Sequence, residues 1–217
     1  MSRLFAITRS IEKVVAEFAV DVQSATDVPS ETIEGMPGLI VFKKNGVRVL
    51  KSVPWGFPRK SRDGPPTRLG LVADLTNVIW EQTVVDPRYR CLIPLTHFAN
   101  PDGPKGGKTR TWFSLHRQPL VAWAGFCRNT PEFGAVFAGM TGEANEKVRS
   151  LNERMPVLLR PNEYEHWLTG DIQDVIKFQF REPLPAEDFD VLETRDRWQS
   201  GSPPGTAILS RSNRSML

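Results

Sequence analysis

Apolar residues at Ile11, Val14, Val15 and Phe18 recur at the i, i+3, i+4, i+7 spacing of one helical face. Thr8 or Ser10 is available as a cap, so a short amphipathic helix is predicted over 10–19. The pattern then changes. Leu39-Ile40-Val41-Phe42 is a continuous apolar run of strand length. Asn45-Gly46 follows it, the dipeptide best suited to a tight hairpin turn, and Val47–Val53 reads as the returning strand. Further strands are expected at Cys91–Leu95, Thr111–Leu115, Leu120–Cys127 and Phe133–Met140. A helical pattern runs from Gly142 to Asn152 through Ala144, Val148 and Leu151. Asn162 is placed to cap a short helix holding Tyr164, Trp167 and Leu168, and Val175–Phe180 reads as a late strand. Residues 20–37 and 58–68 read as loops, and 199–217 as a loose tail. Strands dominate, and the few helices do not alternate with them. The fold class is therefore α+β, with mainly antiparallel strands and no doubly wound pattern.

Composition narrows this picture. The chain has 217 residues, 40% hydrophobic and 24% charged, a globular balance that sets disorder aside. No apolar run approaches the ~18 residues of a membrane span. The Met1-Ser2-Arg3-Leu4-Phe5 start lacks the features of a secretory signal, so a cytoplasmic protein away from membranes is expected. Cys91 and Cys127 sit in apolar runs and are expected as reduced, buried thiols. His97, His116 and His166 are scattered without metal-ligand spacing, and no glycine motif for phosphate is present. Neither a metal nor a cofactor is expected.

The net charge of +3 hides an uneven distribution. Residues 43–117 hold 14 of the 28 Lys and Arg but only 5 of the 25 Asp and Glu, a local balance of +9. Many of these cations fall in the loop containing Arg59, Lys60, Arg62 and Arg68, and in a second loop with Lys105, Lys108 and Arg110. Trp55, Phe57, Trp80, Phe98, Trp112 and Phe113 are interleaved with them. Cations that neutralise phosphates beside rings that stack bases suit single-stranded nucleic acid. The same composition also describes a soluble surface over core tryptophans, and Trp55 fits a base-stacking and a core role equally.

Eight local strings, in order, resemble the SOS-response-associated peptidase (SRAP) family, whose members cap abasic sites in single-stranded DNA. They are Met1-Ser2-Arg3-Leu4-Phe5-Ala6, Trp55-Gly56-Phe57-Pro58, Asn77-Val78-Ile79-Trp80-Glu81, Arg90-Cys91-Leu92-Ile93-Pro94, Gln118-Pro119 with Ala124-Gly125-Phe126, Thr141-Gly142-Glu143-Ala144-Asn145, Arg154-Met155-Pro156-Val157, and Trp167-Leu168. The likeness spans about residues 1–170, and the resemblance implies a single domain over 1–198 with a central cleft, followed by the 199–217 tail.

The resemblance also implies four chemical positions: an amino-terminal cysteine, an asparagine, a glutamate and a histidine. Here they hold Ser2, Asn77, Asn100 and Asn152, so only the asparagine is kept. The arginine of the Arg-Met-Pro string is retained as Arg154, whereas Ile79 stands where the family has another arginine. The family reaction uses an α-amine to form a Schiff base with the ring-opened sugar and a thiolate to close a stable ring. Serine supplies the amine after methionine removal but has a far poorer nucleophile. Asparagines hydrogen-bond without titrating, so Asn100 and Asn152 do not replace an acid and a base. The expected function is binding of single-stranded DNA, abasic strands included, with covalent crosslinking reduced or lost. Trp55, Arg59, Lys60, Arg62, Arg68 and Arg154 are the expected DNA contacts. Two alternatives stand beside it: a non-catalytic interaction module, and an active crosslinking enzyme using the Ser2 or Met1 amine.

Overall fold

The computed structural model describes residues 3–61 and 64–205. In chain order the first half comprises β1 (Leu4–Ala6), α1 (Ile11–Glu17), β2 (Val22–Gln23), β3 (Glu31–Ile33), β4 (Pro37–Lys44), β5 (Val47–Pro54), β6 (Phe57–Arg59), β7 (Thr67–Leu69), β8 (Leu71–Val72), α2 (Glu81–Val84) and β9 (Arg90–Leu95). The second half comprises β10 (His97–Asp102), β11 (Thr109–Leu115), β12 (Val121–Thr130), β13 (Gly134–Glu143), α3 (Glu146–Arg149), β14 (Arg154–Pro156), β15 (Leu158–Leu159), α4 (Tyr164–Thr169), α5 (Ile172–Phe180) and β16 (Phe189–Arg197). Three short 3-10 turns complete the described elements.

Two mostly antiparallel sheets form the frame. The larger has nine strands, with the path β14-β13-β12-β9-β4-β5-β2 and with β15 and β8 attached to β12 and β13. The smaller has five, in the order β16-β11-β10-β1-β3. Strand alternation divides the core. Leu39, Val41, Leu92, Ala124, Phe126 and Ala138 face the helices and pack with Val14, Phe18, Tyr164, Trp167 and Phe178. Ile40, Cys91, Ile93, Trp123 and Phe137 face the smaller sheet and pack with Phe5, Phe98, Phe113 and Phe189. The outer side of the smaller sheet is closed by Leu4, Ala6, Ala99 and Trp112, with Trp198 against them. The α+β class and the mainly antiparallel strands agree with the sequence reading.

The amino-terminal strand is held with unusual care. Leu4 pairs with Ala99 on one side and Ile33 on the other, so β1 is an interior strand despite its three residues. Phe5 drops from it into an aromatic cluster, with ring centroids 5.4 Å from Trp55 and 6.0 Å from Trp123. Trp55 stacks on Phe137 at 6.1 Å. Such pairs add ~0.5–1.5 kcal/mol each beyond area burial. Gly70 is required beneath this cluster, because a Cβ there would lie 2.5 Å from Trp55 Nε1.

Several expected elements change character. Val175–Phe180 lies in α5, not a strand. Asp171 caps that helix by accepting from the Gln173 and Asp174 amides at 2.8 and 3.1 Å. Gly142 and Glu143 end β13, and the helix after them is only Glu146–Arg149, started by Asn145 accepting from the Val148 amide. Asn162 sits inside a 3-10 turn, Pro161–Glu163, instead of capping α4. Among the described residues no helix is long and apolar enough to cross a membrane.

Candidate functional site

The β1–β10 pairing sets the start of β1 beside Asn100, one residue beyond the Leu4–Ala99 pair. Asn100 is completely buried. Its Oδ1 accepts from Asn152 Nδ2 at 3.4 Å, a long contact, and its Nδ2 has no hydrogen-bond partner. Asn152 is half-buried in the turn before β14, and its Oδ1 accepts from the Arg154 amide at 3.2 Å. The structure therefore brings two of the four chemical positions together as a pair of neutral amides.

Arg154 ties this pair to the rest of the site. Its Nε donates to Thr141 Oγ1 at 3.1 Å, and its Nη2 donates to the carbonyls of Ala73, at 2.9 Å, and Thr141. Burial lowers its pKa, opposed by the Asp74 carboxylate. Asp74 in turn has its pKa lowered, chiefly by hydrogen bonds from the Thr76 hydroxyl and amide. These contacts shape the loop from Ala73 to Trp80.

Asn77 lies on that loop, exposed, with Oδ1 accepting from the Ile79 amide at 3.1 Å. With Ala73, Asp74 and Trp80 it lines a depression of about 140 Å³ that Arg3 and Glu34 close from the amino-terminal side. Arg3 and Glu34 form an ion pair at 3.2 Å. Ser2, next to Arg3, lies outside the described residues, as does Arg62.

The expected DNA contacts separate into two groups. Arg59 and Lys60 are exposed at the end of the β6–β7 hairpin. Trp55 is fully buried, with its indole N–H donating to the Gly70 carbonyl at 2.7 Å. It presents no face to a base, so its stacking role is corrected to a core role. Arg68 is committed to the frame as well. Its Nη1 donates to the Gly56 carbonyl at 3.1 Å and its guanidinium lies 4.1 Å above the Phe133 ring.

His97, considered as a proton carrier, has its pKa lowered to about 4, first by burial and then by Arg9. Its Nδ1 is 2.9 Å from Thr96 Oγ1, so it is held as a neutral ring. Among the described residues no cluster of three or more His, Cys, Asp or Glu side chains could hold a metal ion.

Sequence reasoning missed Arg3, Glu34 and Asp74. Arg3 and Asp74 were signalled only by adjacency, one residue after Ser2 and three before Asn77, and nothing local marked Glu34. Thr141 was present in a family-like string without a role.

The family model of the SOS response associated peptidase (SRAP) matches residues 1–197. The chain belongs to the SRAP family. Solved structures agree at the level of the SRAP fold. A protein from Bordetella bronchiseptica superposes with a TM-score of 0.74 at 19% identity, covering 89% of this chain and 99% of that one. A protein from Bacteroides thetaiotaomicron gives 0.74 at 16% identity, covering 95% and 98%. A phage-related protein from Bordetella bronchiseptica gives 0.67 at 18% identity, covering 94% and 100%. No curated protein matches significantly. Of the residues that the sequence resemblance singled out, this chain carries Asn77 and Arg154, with amides at 100 and 152.

Proposed function

We propose that this SRAP protein binds single-stranded DNA, abasic strands included, with covalent capture of the sugar reduced or lost. The observation that carries the reading is the Asn152–Asn100 amide contact at 3.4 Å beside the amino-terminal strand. Where the family resemblance implies a histidine and a glutamate, this site holds two groups that neither release nor take up a proton near neutral pH. The pair itself offers a sugar aldehyde amide donors and acceptors only, and the nearby carboxylates Glu34 and Asp74 are already engaged, by Arg3 and the Gly70 amide and by Thr76. Non-covalent recognition remains supported by the exposed Arg59 and Lys60 and by the Asn77 depression.

The test is a denaturing gel of protein incubated with an abasic single-stranded oligonucleotide, with and without borohydride. The wild type gives no heat-stable adduct. The triple variant Ser2→Cys, Asn100→Glu, Asn152→His, with Met1 removed, gives one at a rate raised by roughly 100-fold or more. A strong heat-stable adduct from the wild type overturns the loss of covalent chemistry. Binding is read separately by fluorescence anisotropy against salt. Replacing Arg59 and Lys60 by Ala lowers the slope of log affinity against log salt by up to ~1.4, at about 0.7 per phosphate contact. No binding by the wild type at low salt leaves the interaction-module reading in place.

A further inference from the structure

The strands of the larger sheet enclose more than a core. Ile40, Phe42 and Lys44 alternate along one side of β4, and Lys51 stands opposite Ile40 on β5. Cys91 on β9 stands opposite Phe42 and Gly125, which sets Cys127 diagonally beside it on the same side of β12. The sheet curls until the chain leaving β5 reaches β13, where the Gly56 amide donates to the Phe137 carbonyl at 2.8 Å. The interior opens at one end as a depression of about 260 Å³, lined in part by Phe42, Lys44, Lys51 and Cys127. Ala135 also lines it, roughly 20 Å along β13 from the Thr141 carbonyl that Arg154 holds.

Two properties set this mouth apart. The first is its charge. Arg88 and Arg128 join the two lysines, and no carboxylate lines it. Arg88 is paired with Asp86 at 2.6 Å, but among the described residues Lys44, Lys51 and Arg128 have no ion-pair partner. Arg128 is steadied by Phe57 and Tyr89, whose ring centroids lie 5.9 and 5.8 Å from its guanidinium carbon. The second property is the thiol. Cys127 is half-buried, short of the full burial expected from its apolar run, and it reaches the depression. Cys91 beside it is completely buried. Burial pushes the Cys91 pKa well up, and the contact with the Cys127 thiol adds to this, so Cys91 stays protonated and unreactive. One sulfur nucleophile therefore faces a small cavity with a surplus of positive charge.

We propose that this mouth is a modification site, where Cys127 forms a mixed disulfide with a small anionic disulfide. Charge makes the selection, because cations lining a cleft raise the local concentration of an anion. Size limits it, because the volume lies at the lower end for small-molecule sites and admits no folded partner. Phe42 offers an apolar wall to the carbon part of the reagent. In the exchange the Cys127 thiolate, its proton given to solvent, attacks one sulfur of the disulfide. A new S–S bond forms as the old one breaks, and the second half leaves as a thiolate. The Cys127 sulfur is oxidised, the departing sulfur is reduced, and no other oxidant is needed. The site stands apart from the proposed single-strand binding, so the two readings fail separately.

The experiment compares two aromatic disulfides on the full chain, the dianionic dithiobis(nitrobenzoate) and the neutral dithiodipyridine. Both release an absorbing product, and the ratio of their rates cancels the accessibility of the sulfur. Replacing Lys44 and Lys51 together by Gln lowers the ratio of anionic to neutral rate by roughly fivefold or more. Added salt lowers the same ratio in the wild type. Cys127→Ser abolishes the reaction of the folded protein, and Cys91→Ala retains it. With glutathione disulfide, itself anionic, the wild type gains the mass of one glutathione on the peptide containing Cys127. A rate ratio that the two lysine changes leave unaltered overturns the proposal, since the thiol then reacts without selecting anions. Reaction of the folded chain at Cys91 overturns it too, as does a Cys127 that reacts only after unfolding in guanidinium. Lys44 and Lys51 are exposed, so the double variant keeps the wild-type melting temperature, which separates lost selectivity from lost fold.

Discussion

The frame around the site and the amide pair inside it are held in opposite ways. In the frame, Trp55, Phe5, Trp123 and Phe137 interlock, the indole N–H groups of Trp55 and Trp123 both reach backbone carbonyls, and Arg154 ties the loop at Ala73 to β13 at Thr141. At the reactive positions, Asn100 and Asn152 share one long hydrogen bond and leave a buried amide N–H unmet. Packing constrains every atom of the first region. The second is held more loosely, with one buried donor unmet.

The comparison is broken most severely at the frame. Phe5→Ala empties the centre of the aromatic cluster and should cost ~3–5 kcal/mol, measured by chemical denaturation. If the loss is below ~1 kcal/mol, β1 is held by its two ladders alone and the cluster is incidental.

His97 gives the frame a pH dependence. Its pKa in the folded protein, about 4, lies below the usual histidine value. The unfolded chain therefore binds more protons between those two values. Stability should be fully present above about pH 6.5 and fall as pH drops toward 4, with a slope of at most ~1.4 kcal/mol per unit from this group. His97→Gln should flatten that part of the profile, and an unchanged profile would assign the slope to other groups.

Arg154→Ala removes donors from the carbonyls of Ala73 and Thr141 and should cost ~2–3 kcal/mol, read as a lowered melting temperature. Its effect on DNA affinity should exceed that of Trp55→Phe, which loses one buried hydrogen bond and no DNA contact. The smallest effect is expected at the reactive pair. Asn100→Leu removes an unmet donor along with a weak hydrogen bond and should stay within about 1 kcal/mol of the wild type. A large loss there would show that the amide pair belongs to the frame after all.

Much of the frame was legible in the sequence because local chemistry and tertiary structure agree there. Asn45-Gly46 predicted a turn and adopts φ of 52° and 85°, the left-handed pair that joins β4 to β5. The long central strands were readable from their apolar runs. The α5 segment was misread because Val175-Ile176-Lys177-Phe178 has the composition of a strand, while the decisive signal, the Asp171 and Asp174 capping pair, lies before it. Strand β1 was invisible, since three residues carry no period and its pairing comes from β10, over 90 residues away. At the site, the identities of Asn77, Asn100 and Asn152 could be read from string order. That Trp55 and Arg68 are consumed by Gly70, Gly56 and Phe133 depends on partners that no local pattern announces.

The two ends of the smaller sheet carry a practical consequence. The chain enters β1 opposite Ala99, and it leaves β16 at Arg197, which pairs with Thr109, itself opposite Asp102. Entry and exit therefore lie toward the same end of the sheet, with β10 and β11 between them, roughly 15 Å apart across the strands at ordinary spacing. A short glycine-serine linker can close that gap, and new ends can be opened at the exposed Asn45-Gly46 turn. Such a circular permutant keeps every strand pairing but turns the first α-amine into an ordinary peptide nitrogen. It would divide this protein's behaviour cleanly: whatever depends on the shape of the cleft should survive the permutation, and whatever depends on a free amino terminus should disappear.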